Sequence, residues 1–87
     1  MNQAYARTFY TEEQAEVEFE KRIRALALLD AEGKSDSSEA DEIREEMDVP
    51  WYAMSEAAQR RMRRLSESVR RIAEAKAAAR QAEEEDR

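Results

Sequence analysis

Six arginines within twelve residues, Arg60, Arg61, Arg63, Arg64, Arg70 and Arg71, are the densest concentration of a single chemistry in this sequence. A guanidinium is a permanently charged, planar donor that pairs with carboxylates and phosphates, so such a cluster speaks for holding an anion rather than for turning one over. Apolar residues run through the same stretch: Ala58, Met62, Leu65, Val69 and Ile72 recur at alternating steps of four and three. At about 100° per residue this stripe occupies one side of a helix, and Arg60, Arg63, Arg64, Arg70 and Arg71 fall on the other. The predicted helix is apolar inward and cationic outward.

Immediately upstream stand Pro50, Trp51, Tyr52, Ala53 and Met54, which include the only proline and the only tryptophan of the chain. Proline lacks an amide hydrogen and disfavours helical geometry in the residue before it, so a helix arriving from the Glu39 side is expected to stop near Asp48. Residues 50–54 then read as a turn. Large side chains on such a turn either plug a gap between helices or anchor a partner. Trp51, Tyr52 and Met54 therefore join Arg60, Arg63, Arg64, Arg70 and Arg71 as candidate partner-binding residues.

Other chemistries lack their residues. With neither cysteine nor histidine, the chain has no thiolate, no disulfide and no imidazole. Glu12, Glu16 and Glu20 form a row at spacing four, and Glu42, Glu45 and Glu46 lie close together. Without histidine, glycine turns or an alternating aspartate pattern, neither group describes a zinc or calcium loop, and both read as solvated helix faces. Gly33-Lys34-Ser35 lacks the upstream glycine and the preceding strand of a phosphate loop. A cleft for a small-molecule substrate needs more enclosed volume than 87 residues readily supply. The expectation is a protein that is not an enzyme and uses no cofactor or metal.

The elements that must position these residues follow from caps and periodicity. Thr11 and Gln14 form a capping box at the head of a helix predicted over about 12–32, with Glu12 and Glu13 suited to its first turn. Its stripe is Ala15, Phe19, Ile23, Leu26 and Leu29, widened by Leu28, and Gly33 is its left-handed cap. A polar linker, 33–38, leads to Ser37 or Ser38 as the cap of a short helix, 39–48, whose apolar face is Ala40, Ile43 and Met47. So short a helix must dock on its neighbours. Ser55 restarts the chain as the arginine-bearing helix, 56–82, roughly 40 Å long against about 30 Å for the first at 1.5 Å per residue. Its alanine-rich end is expected to overhang.

Residues 1–10 read as an arm without clear period, and 83–87 as a frayed acidic tail, since acids are unfavourable at the negative end of a helix dipole. No segment has the period of a strand. The fold class is all-α, a small helical hairpin or three-helix arrangement of long, short and long elements.

Charge is unevenly divided. Residues 1–50 hold 14 acids against 6 bases, a net of −8, whereas 51–80 hold 8 bases against 3 acids, a net of +5. The acidic first half is expected to lie against the basic third helix, in the same molecule or in a neighbour. Apolar side chains larger than alanine are few, so the core is of marginal size and a protein partner or homo-oligomer is expected. No apolar run approaches the roughly 18 residues of a membrane span, and the start, Met-Asn-Gln-Ala-Tyr, lacks the apolar core of a secretory signal. A cytoplasmic protein without membrane contact is expected.

Together these features describe a small interaction module or accessory subunit that presents an arginine-rich helix and a Trp/Tyr turn to a protein. The alternative is a nucleic-acid-associated regulator, antitoxin-like or repressor-like, that uses the arginine face. Against it, Glu67 and Glu74 interrupt that face, and no aromatic residue lies among the arginines to stack on bases.

Overall fold

The computed structural model describes residues 1–86 and contains five helices in chain order: α1 (Gln3–Ala6), α2 (Glu12–Ala31), α3 (Ser38–Glu46), α4 (Asp48–Ala53) and α5 (Glu56–Glu85). The architecture is all-α, with no strand among the described residues. Polar side chains start the helices where the sequence places them. Thr11 accepts from the Gln14 amide while Gln14 reaches back to the Thr11 amide, completing the capping box. Ser37 accepts from the Ala40 amide to cap α3, and Ser55 from the Ala58 amide to cap α5. At the end of α2, Gly33 adopts φ +76°, its amide donates to Asp30 O at 3.1 Å, and the Lys34 amide donates to Leu29 O at 2.7 Å. These two bonds make a Schellman motif, which reverses the chain into the linker.

The stretch expected to be a turn at Pro50 is a helix. α3 ends at Glu46, Met47 is the hinge, and α4 begins at Asp48 with Pro50 inside its first turn. Proline is tolerated there because the first amides of a helix have no intrahelical acceptor, so its missing hydrogen costs nothing. The first ten residues also differ from a patternless arm: Asn2 caps the short α1, which packs on α4 and buries Ala6. At the other end α5 continues through Glu83, Glu84 and Glu85, beyond the predicted limit at 82, with Asp86 as its cap residue. The strong helix propensity of the alanine-rich run ahead of these acids outweighs their unfavourable dipole. Arg87, the last residue of the predicted tail, lies outside the described residues.

α2 is the central element, in contact with α5, α3 and α4. The core is built from Ala6, Ala15, Phe19, Ile23, Ala53, Met54, Ala58 and Met62, with Tyr10, Met47, Val49, Trp51, Leu65 and Val69 packed around it. Two residues expected on apolar stripes lie outside. Leu28 is 66% exposed and Ile72 57%, while the small Ala73 is buried in the place expected for Ile72. As α5 runs past the last large core residue, alanine allows a closer approach to α2 than isoleucine.

The molecule measures 54 × 25 × 16 Å, with a radius of gyration of 15.1 Å, against about 12 Å for a compact chain of this length. The helices thus form a slab whose two broad sides are incompletely covered.

Candidate interaction surface

Trp51 is held from three directions. Its ring lies 5.3 Å from that of Phe19, centroid to centroid, its carbonyl accepts from Gln59 Nε2 at 2.9 Å, and the Arg63 guanidinium lies over the ring at 5.1 Å. The residue is half-buried, so it both plugs the core and leaves an edge at the surface. Tyr52 beside it is 40% exposed. Met54 is fully buried. Its carbonyl accepts from Gln3 Nε2 at 3.1 Å, and the Ala53 carbonyl accepts from Arg7 Nε at 3.2 Å, so α1 clasps this segment. Met54 is therefore a core residue and offers a partner no surface.

The arginines of α5 divide by position. Arg61, left out of the predicted site, crosses to α2, where its Nε and Nη2 donate to Glu16 at 3.1–3.2 Å. It makes the only ion pair between α2 and α5 among the described residues. The expected broad neutralisation of an acidic first helix by a basic last one is thus reduced to a single bridge. Most other acids of α2 are engaged locally: Glu18 with Lys21 and Arg22, Glu20 with Arg24, and Glu12 with Arg7. Arg22 Nη1 donates to Glu18 Oε2 at 2.8 Å, and this bond holds the Glu18 carboxyl below the usual carboxylate range and raises the Arg22 pKa. Arg22 Nε also faces Glu46 Oε2 on α3 at 3.4 Å, close enough for attraction but without hydrogen-bond geometry.

Arg60, Arg63, Arg64, Arg70 and Arg71 are all exposed, and among the described residues none has a carboxylate within ion-pair distance. They do not form one face. Arg63 is committed to Trp51, and Arg70 lines a groove between α5 and α3. Arg60, Arg64 and Arg71 fall on the outer edge of the slab, opposite the α5 core stripe at about 100° per residue.

Two hollows flank the α2–α5 seam. On one broad side, a depression of about 350 Å³ is lined by Ala27, Leu28, Ala31, Val69, Ile72 and Ala73, with Arg24 and Lys76 at its rim. The exposed Leu28 and Ile72 make this an apolar surface bordered by Lys76 and by Arg24 in its pair with Glu20. Sequence reasoning missed it because both residues were assigned to the core; the wheel angle of Leu28, well away from Phe19 and Ile23, was the available signal. On the opposite side, α2, α3 and α5 enclose a groove of about 620 Å³. A third hollow, near Tyr5, Phe9 and Val49, carries the edge-to-face pair of Tyr5 and Phe9 at 5.3 Å.

Among the described residues no three acidic side chains gather where they could hold a metal ion, and no helix is long and apolar enough to cross a membrane. Compared with family models, with curated proteins and with solved structures, the chain finds no match.

Proposed function

We propose that this chain is a small cytoplasmic interaction module that binds an acidic protein surface through α5. The observation that supports this reading best is that Arg60, Arg64 and Arg71 stand on the outer edge of the slab without a carboxylate partner among the described residues. An unmatched guanidinium row on a rigid helix is preorganised for carboxylates, since little order remains to be gained on binding. Leu28 and Ile72, bordered by Arg24 and Lys76, supply apolar area beside it. A partner with an acidic, amphipathic helix matches both chemistries. Trp51 and Tyr52 extend the surface toward the N-terminal end of α5, with Met54 fixing them from below.

The second reading, binding to nucleic acid, draws on the same arginines. From Arg60 to Arg71 they span about 17 Å of helix axis at 1.5 Å per residue, enough to follow a phosphate backbone. Glu67 and Glu74 on α5, and the commitment of Arg63 to Trp51, favour the protein.

The test compares the wild-type chain with an Arg60/Arg64/Arg71→Ala variant in affinity capture, followed by titration of the purified captured protein. Loss of a stoichiometric protein ligand in the variant is expected, with a further loss for Ile72→Glu. Capture of nucleic acid alone, with an affinity that falls steeply with salt, would replace the first reading with the second.

A further inference from the structure

The groove between α3 and α5 has a floor of Ile23, Leu26, Met47 and Val69, and its rim carries two acids, Asp30 and Glu74, and two bases, Arg44 and Arg70. Arg44 is engaged with Asp41 and with the Ser35 carbonyl, whereas Asp30, Arg70 and Glu74 make no ion pair among the described residues. From this rim we infer that the groove is the contact surface for a second copy of this chain, which docks by two-fold symmetry with its α5 antiparallel to the first.

Three observations converge on that occupant. A two-fold contact sets a surface against itself, so it requires self-complementary charge. Arg70 and Glu74, one base and one acid a turn apart on α5 and neither in an ion pair among the described residues, meet that requirement, whereas the unpaired charge at the opposite depression is Lys76 alone, since Arg24 is paired with Glu20. Register follows from α5 itself. Antiparallel pairing centred midway between Arg70 and Glu74 sets Arg70 of each copy against Glu74 of the other. The same register sets Ser66 against Ala78, small side chains that let the helices approach to the roughly 8 Å of a close packing. Finally, the slab is 16 Å in its least dimension, and helices stably bury their apolar stripes when a second layer covers them. Stacking a second slab over Leu26, Met47 and Val69 supplies that layer. The outer-edge arginines stay free, so the dimer displays two copies of the proposed partner surface, and this inference stands whether or not that surface binds protein.

Sedimentation equilibrium of the full chain, with helicity followed by circular dichroism, tests the assignment. The expected result is a mass that rises with concentration from 10.1 kDa toward twice that value. Arg70→Glu and Glu74→Arg, both at exposed positions, should each weaken the dimer about tenfold or more by placing like charges in contact. The double variant should restore it. Ala78→Arg, which obstructs the close approach opposite Ser66, should leave a helical monomer. A wild-type chain that stays at 10.1 kDa at every concentration overturns the proposal. So does a dimer that ignores these changes but dissociates on Leu28→Glu, since that result places the contact on the opposite side.

Discussion

Arg61 on α5 holds both carboxylate oxygens of Glu16 on α2, with Nη2 at 3.1 Å from each. This bridge ties the arginine-bearing helix to the scaffold in a fixed register. The Arg61 side chain is about half exposed and that of Glu16 about a third, at 53% and 31%. Solvent screening therefore keeps the bidentate pair at about 0.5–1 kcal/mol. Urea denaturation of Arg61→Ala, Glu16→Ala and the double variant should return a coupling energy of that size, shrinking in high salt. A coupling near zero at low salt would mean that apolar packing alone sets the register.

Met54 and Tyr52 lie two residues apart and should behave in opposite ways. Met54 is fully buried within the core shared by α1, α2, α4 and α5. Truncating such a methionine to alanine removes its transfer energy and leaves a cavity, together about 2–5 kcal/mol. For a domain of this size that is a large part of the total stability. Tyr52→Ala should cost about 0.5 kcal/mol or less, as expected of a surface position. The midpoint of chemical denaturation distinguishes the two, and a Met54→Ala variant as stable as wild type would contradict the buried assignment.

Local signals were legible in the sequence, and tertiary ones were less so. The Thr11–Gln14 box, the Ser37 and Ser55 caps and the Gly33 reversal depend only on residues within one turn of each other, and the structure forms all four. Pro50 was misjudged because the same residue ends one helix and fits the first turn of the next; only the packing of α4 on α2 selects the second use. Leu28 and Ile72 were misplaced because hydrophobicity identifies what can be buried, while among the described residues no element packs over these two positions. The arginines lie exposed on one long helix as the periodicity predicts, yet their division between Glu16, Trp51, the groove and the outer edge depends on neighbours from distant parts of the chain.

Gly33 supplies a test of the α2 terminus. A Cβ at this position meets Arg80 Nη2 at 3.7 Å, an ordinary contact, so space does not forbid a side chain. Backbone conformation does the discriminating: at φ +76° an L-residue is strained by about 1–2 kcal/mol. Gly33→Ala should lower stability by about 1 kcal/mol and Gly33→Asn by less, because asparagine tolerates the left-handed region. Equal losses for both variants would point instead to the contact with Arg80, whose guanidinium also donates to the Ala31 carbonyl.

Acid should act on Glu18 in a manner set by Arg22. The Arg22 hydrogen bond is the leading cause of the lowered Glu18 pKa, aided by the nearby charge of Lys21 and opposed by partial desolvation. Arg22 itself has a raised pKa and stays charged throughout the acid range, so only the carboxylate changes state. A carboxyl with a depressed folded-state pKa contributes stability that is present above its unfolded value and lost as pH falls through the folded one. The carboxyl resonance of Glu18, followed by NMR against pH, should therefore have its midpoint below that of the same residue in the urea-unfolded chain. In Arg22→Ala the midpoint should move up toward the unfolded value. An unchanged midpoint in that variant would show that Lys21, or the electrostatic field of the whole helix, governs the carboxylate instead of the guanidinium one turn away.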